Sequence, residues 1–252
     1  MTMQSPRPLC WERKSRNVEQ GSDRPAELIC QFGRLLYEKN LIAGNQGNLS
    51  LRLPNGSIKI TPSGRHKGLL EPRDIITITP AGKILDGVGE PSTDTRLHIG
   101  IYARRPDVMA VCHAHPIYTT ISFSGDIESL DMISQRSGIA NVPVLDEADM
   151  GAEEFIEEVQ AAVSGNDLFV LYNHGVFACG NDLEDCLIKI ENLERDCRKS
   201  LIVLGLVGPE ILDDQEDAEF FDEQAEADST IEFPLEPTAG GKKTDQDENP
   251  DR

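Results

Sequence analysis

The sequence is short of positive charge, of aromatic side chains, of histidine and of long apolar runs. Lys and Arg number 24 against 44 Asp and Glu, a formal net charge of −20 over 252 residues. Such an excess repels a phosphate backbone, so nucleic acid is not expected as a partner. No apolar stretch approaches the ~20 residues of a membrane-spanning helix. The opening residues, MTMQSPRPLCWERK, lack an apolar segment, so no secretory signal is expected either. Aromatics make up 5% and hydrophobic residues 38%, a composition lean in large core side chains. The six cysteines (Cys10, Cys30, Cys112, Cys179, Cys186, Cys197) show no paired metal-type spacing. A chain of this length can bury a core without disulfides, and they read as reduced thiols of a cytoplasmic protein.

The acidity is uneven. Pro209 to Arg252 holds 16 acidic and 3 basic residues, a net of −13, which leaves −7 for the other 208 residues. Residues 209–252 therefore read as an acidic disordered tail, and residues 1–21 as a flexible N-terminal arm. Between them, over 22–208, helical and strand patterns alternate, which implies an α/β domain.

RPAELICQFGRLLYEKNLI carries Leu28, Phe32, Leu35, Leu36 and Ile42 at helix-like intervals. NLSLRL and SIKITP, separated by PNG, read as a hairpin, and DIITITPAGKIL as a strand, a turn and a short return. PSTDTRLHIGIYARRPD begins like a helix, with Ser92 or Thr93 available to cap it. VMAVCHAH and NVPVL are strands, and GAEEFIEEVQAAVSG is a short helix closed by glycine. NDLFVLYNHG and VFACG read as β, and DLEDCLIKIENLERDCRKSLIVLGL as the longest helix.

Two of only five histidines, His113 and His115, stand one residue apart at the end of VMAVCHAH. On a strand, residues i and i+2 share a face about 6.6 Å apart at the backbone, so both imidazoles can aim at one point. Cys112 then faces the other way and serves as apolar filler. Alone, the pair is equally an exposed histidine and a hydrogen-bonding loop residue. His174, just past the apolar run LFVLY, adds a third imidazole at a strand end, and Gly175 removes a side chain beside it. Three histidines with a carboxylate and an open position form a catalytic zinc pattern. Asp94 is the candidate carboxylate, or else a helix-start acid facing the helix dipole. His66 reads as exposed, His98 as packed against the domain, and Glu191 with Glu194 as a solvated or interface face.

Three loops, GNQGNLS, TPSG and PSTD, are rich in glycine, amides and small hydroxyls, and each adjoins a strand or a helix start. Backbone N–H groups, hydroxyls and a helix N-terminus make an anion cradle without lysine or arginine, suited to a phosphorylated small molecule.

With these residues in view, the chain resembles the class II aldolase/adducin family, and within it the L-fuculose-phosphate aldolases, from about Ala26 to Leu206. The resemblance rests on ordered motifs: GNLSLR, ITPSG with KG and PRDI following, PSTDTRLHIGIYARRPDVMAVCHAH, and NHGVFACG. It implies a single α/β domain with a central, mainly antiparallel sheet flanked by helices on both faces. It implies Zn2+, or another divalent metal, on His113, His115 and His174, with Asp94 as acid/base or fourth ligand. Substrate phosphate would be held by Gly47, Asn48, Ser63, Gly64, Ser92 and Thr93. A small phosphorylated sugar would be cleaved by a retro-aldol reaction through an enediolate, in a cytoplasmic homotetramer.

Two departures stand out. The aldolases usually carry glutamate where this chain has Asp94, whereas the similar pentulose-5-phosphate 4-epimerases carry aspartate there, as a metal ligand. Their second acidic residue has no partner near Ile133–Ser137. The aldolases also use tyrosines as proton donors, and Tyr37, Tyr102, Tyr118 and Tyr172 fall at none of those places. An epimerase, a dehydratase, a decarboxylase or a non-catalytic adducin-like domain are the alternatives.

Overall fold

The structure is a computed structural model and describes residues 23–124, 141–146 and 152–207. The arm expected over residues 1–21, the tail over 209–252 and the segment Ile133–Ser137 lie outside the described residues. The elements, in chain order, are α1 (Arg24–Glu38), β1 (Asn48–Arg52), β2 (Ile58–Ile60), β3 (Ile76–Ile78), β4 (Ile84–Asp86), α2 (Thr95–Arg104), β5 (Ala110–Ala114), α3 (Ile117–Ser122), β6 (Val144–Leu145), α4 (Glu153–Ala162), β7 (Leu168–Leu171), β8 (Gly175–Gly180) and α5 (Leu183–Val207).

The eight strands form one sheet in the order β4-β3-β2-β1-β5-β8-β7-β6. Every neighbouring pair is antiparallel except β6 with β7. The strand alternation that places His113 also sorts the core. Ala110, Cys112 and Ala114 of β5 pack with Val176 and Ala178 of β8 under α1 and α5. Val111, Phe177, Cys179 and the isoleucines of β2 and β3 form a second cluster with α2 and α4. Helices thus cover both faces of the sheet, and Cys112 lies on the face away from the His113 ring. The five cysteines among the described residues are buried and free, and no helix there is long and apolar enough to cross a membrane.

Local chemistry explains where α1 ends. Asp23 caps it, its carboxylate accepting from the Ala26 N–H at 3.2 Å. Asn40 takes a left-handed φ of 58° and stops the helix, so Ile42, expected on it, is buried beyond its end. The turn matters for the site. The Leu41 carbonyl accepts from the His115 N–H at 2.9 Å, fixing His115 just past the end of β5. Further along α1, Gly33 lets the turn Lys67–Leu69 press against the helix. A Cβ there would stand 2.9 Å from the Lys67 carbonyl oxygen.

Two surface expectations need correction. His66 is half-buried: its Nδ1 accepts from the Gly68 N–H, and its ring meets Tyr37 edge-on at 4.6 Å. Glu194 is no solvated acid. It accepts from the N–H groups of Tyr118 and Thr119 and from the Thr119 hydroxyl, at 3.1, 2.7 and 2.8 Å. A carboxylate on α5 thereby caps the positive end of α3. Glu191 does face solvent, paired with Lys39 at 2.7 Å.

Glu194→Ala is expected to lower unfolding stability by about 1–3 kcal/mol, since charged acceptors for buried N–H groups contribute that much. Glu191→Ala should cost under about 1 kcal/mol, as exposed pairs do. Urea titration of the two variants checks the contrast, and equal losses would contradict the capping role.

Candidate metal centre and anion cleft

Neighbouring strands set the positions of the three histidines. His113 lies in β5 opposite Asn48 of β1 and Phe177 of β8, and its ring stacks on Phe177 at 4.1 Å and 14°. Phe177 in turn stacks on Phe169 at 4.9 Å. His174 sits in the tight turn between β7 and β8, where its N–H donates to the Leu171 carbonyl at 3.0 Å. The left-handed residue of that turn is Asn173, with φ 57°, and not Gly175. Gly175 is required for closeness instead. A Cβ there would lie 2.3 Å from the Ala114 oxygen and 3.1 Å from His113 Nε2.

The rings converge. Centroid separations are 4.6 Å for His113–His115, 5.0 Å for His113–His174 and 4.6 Å for His115–His174. One ring nitrogen from each lies within 4.8 Å of the others. Burial, together with the neighbouring imidazoles, pushes His115 down to about 3, so it is neutral and a competent ligand at neutral pH. Around a tetrahedral ion with bonds of ~2.0–2.1 Å, nitrogens sit about 3.4 Å apart, a distance small side-chain rotations reach. Three imidazoles are a donor set suited to zinc and other first-row divalent ions.

Asp94 occupies the N-cap position of α2 but makes no side-chain capping bond, and neither Ser92 nor Thr93 takes that position. Its Oδ2 accepts from His113 Nδ1 at 2.8 Å and from Asn48 Nδ2 at 2.6 Å. Burial alone would raise this carboxyl, but the bonds from His113 and Asn48 outweigh it and hold it well below the usual range. With the proton of His113 on Nδ1, Nε2 is the nitrogen left to face the other two rings.

Behind Asp94 runs a buried chain of hydrogen bonds that sequence reasoning missed. Asn48 Oδ1 accepts from His98 Nε2 at 2.5 Å. His98 Nδ1 accepts from the Ser50 hydroxyl at 2.7 Å, and Ser50 accepts from the Tyr102 hydroxyl at 2.8 Å. Each link fixes the direction of the next. The Asn48 amide must turn its nitrogen to a carboxylate, so its oxygen takes the His98 proton, and His98 must accept from Ser50. Burial pushes His98 down to about 3, consistent with a neutral ring. His98 was expected to be packed and not a ligand. It is packed, fully buried, and orients Asp94 through Asn48. The only signal was its place one turn after Asp94 on the same helix.

The six residues expected to hold phosphate (Gly47, Asn48, Ser63, Gly64, Ser92 and Thr93) all line one cleft of about 180 Å³ with Asp94 and the three histidines. Asn48, Ser92, Asp94 and His113 are buried at its floor, while Ser63, Gly64 and Thr93 are exposed at its mouth. The loops are tied together. Ser92 N–H donates to the Thr61 carbonyl, Ser63 N–H to Glu90, and Lys67 N–H to Gly44. Gly47 has φ +68°, and a Cβ would lie 2.6 Å from the His113 carbonyl oxygen. Lys67 lines the same cleft, so the cradle does contain a lysine. No tyrosine lines it among the described residues. Tyr102 is committed to Ser50, and the Tyr172 hydroxyl donates to the Ser124 carbonyl.

Comparison with known proteins agrees with this geometry. The family model for the Class II Aldolase and Adducin N-terminal domain matches residues 27–201. A methylthioribulose-1-phosphate dehydratase from Methylococcus capsulatus is 38% identical over 184 residues, 68% of this chain and 89% of the relative. An L-fuculose phosphate aldolase from Methanococcus vannielii is 33% identical over 173 residues, 68% of this chain and 92% of the relative. Among solved structures, an L-fuculose-1-phosphate aldolase from Thermus thermophilus aligns with a TM-score of 0.58 at 27% identity, over 72% of this chain and 94% of that one.

The buried imidazole predicts acid sensitivity. His98 shifts from 6.5 unfolded to about 3 folded, so the unfolded chain binds one more proton between those values. Its contribution to stability is complete above about pH 6.5 and is lost as pH falls toward 3, at about 1.4 kcal/mol per pH unit. Denaturant unfolding of metal-free wild type and His98→Gln from pH 7 to 4 checks this. The variant should show a slope shallower by about one proton, and parallel slopes would contradict the assignment.

Proposed function

The chain belongs to the class II aldolase and adducin family, and from that premise we propose that it is a metal-dependent lyase acting on a small phosphorylated ketose. Its reaction on this reading is cleavage or formation of a C–C bond, and it works as a cytoplasmic homotetramer. The observation that carries the reading is the convergence of His113, His115 and His174 in a cleft lined also by hydroxyls, glycines, amides and Lys67.

The three histidines would hold the ion. A divalent metal there would polarise a substrate carbonyl and stabilise the negative charge that develops beside it as a bond breaks. The rest falls to the chain's own groups. Gly47, Ser63, Gly64, Ser92 and Thr93 anchor the phosphate and so fix which carbon lies near the imidazoles. The Asn48 side chain is engaged by Asp94 and His98, so its part is orientation, with only its backbone available to an anion. Asp94 Oδ2 keeps the proton on His113 Nδ1. A carboxyl held so low is a weak base at neutral pH, and we assign Asp94 to positioning His113 rather than to proton transfer or direct ligation. That assignment also weakens the epimerase alternative, which took Asp94 as a ligand.

A second reading is dehydration of a phosphorylated ketose. It is supported by the name of the 38%-identical relative and by chemistry that needs the same polarised carbonyl.

A screen of ketose phosphates, read for released aldehyde and for loss of water with metal content measured alongside, separates the readings. Aldehyde release is expected. A purified protein that retains no stoichiometric divalent metal would count against both.

Asp94→Asn is expected to weaken metal binding by about 10–100-fold, the usual loss when a ligand's orienting partner changes. The new amide nitrogen must face either His113 or Asn48, both donors, so the chain back to His98 breaks. Metal titration with a fluorescent chelator checks it. Full metal affinity with abolished turnover would instead make Asp94 the base.

A further inference from the structure

Among the described residues, Lys67 is the one lysine or arginine lining the cleft, and its immediate partners carry no charge. It is 2% exposed. Its ammonium donates to the carbonyl oxygens of Asn45 at 2.8 Å and Arg65 at 2.9 Å. Both partners are neutral, and among the described residues Lys67 forms no ion pair. Asp94 acts on it only through space, its own Oδ2 being engaged by His113 and Asn48. An ammonium has three donors, so one remains. Burying a charge beside neutral dipoles alone is costly, and the usual remedy is an opposite charge within reach.

The fold holds this cation in place. Gly33 admits the Lys67 backbone against α1, its N–H is fixed by the Gly44 carbonyl, and its two ammonium bonds join Asn45 of the GNQG loop to Arg65, the residue after TPSG. The same cleft presents Ser63, Gly64, Ser92 and Thr93. Those groups are hydrogen-bond donors with no net charge.

We infer that Lys67 is the charged member of this anion site: its remaining N–H donates to the phosphate of the bound substrate and its ammonium is the counterion. The assignment rests on the phosphorylated-substrate reading above. It fixes which end of the ligand lies against the TPSG turn, because a dianionic phosphate gains more from a desolvated ammonium than a neutral hydroxyl end does.

The probe is inorganic phosphate, titrated calorimetrically into metal-loaded full-length protein at constant ionic strength, with acetate as the carboxylate control. Lys67→Gln keeps an N–H donor for the loop carbonyls and removes the charge. It is expected to bind phosphate at least tenfold more weakly than wild type with unchanged metal content. Phosphate affinity within twofold of wild type would overturn the inference, as would tighter binding of acetate than of phosphate by the wild-type protein. Should Lys67→Gln fail to fold, wild-type crystals soaked in phosphate decide. A phosphate oxygen within hydrogen-bond reach of Lys67 Nζ is expected, and phosphate bound away from it or not at all would overturn the assignment. Failure of the lyase reading shows elsewhere, as absence of divalent metal in the wild-type protein, a readout the phosphate titration does not share.

Discussion

The site depends on one hydrogen bond, from His113 Nδ1 to Asp94 Oδ2, 2.8 Å long and buried. It selects the tautomer of His113 and so decides which nitrogen is turned toward His115 and His174. The carboxylate can only accept, which sets the direction of this bond and of the chain behind it, where Asn48, His98, Ser50 and Tyr102 each have a single consistent choice of donor and acceptor. A buried carboxylate would be a liability without such partners. Here it receives two donors and becomes the fixed negative charge of the centre.

The same centre constrains the backbone around it. β1, β5 and β8 are adjacent in the sheet, so Asn48, His113 and Phe177 stand side by side. Two glycines remain glycines because the chain passes too close for a Cβ, Gly47 against the His113 carbonyl and Gly175 against the Ala114 carbonyl. The turn after α1 holds His115 through Leu41. Stability and function therefore share residues at the middle of the sheet, while edge strands such as β4, exposed along its length, are free of that demand.

Much of this was legible in the sequence because it is local or periodic. Strand alternation placed His113 and Cys112 on opposite faces, and PNG and PAG marked real turns. The order of motifs identified the family and brought the three histidines and the six cleft residues to one place. What stayed hidden depends on contacts between distant segments. The choice of Asp94 between its helix N-terminus and His113 is settled by Asn48, 46 residues away. Ile42 continued the helical spacing but fell outside α1 because Asn40 adopts a left-handed turn. Lys67 stands beside Arg65 and His66 in a charged run with no local signal of burial, and its backbone is drawn against α1 at Gly33, a contact between distant segments. Glu194 read as part of a solvated or interface face because the N-terminus it caps belongs to a helix 75 positions earlier in the chain.

X-ray absorption at the zinc edge of zinc-loaded protein tests the convergence of the three imidazoles most directly. The expected spectrum has imidazole multiple scattering from three ring nitrogens at about 2.0–2.1 Å and no sulfur. A shell of oxygen alone, or one imidazole or none, would contradict a centre built on His113, His115 and His174.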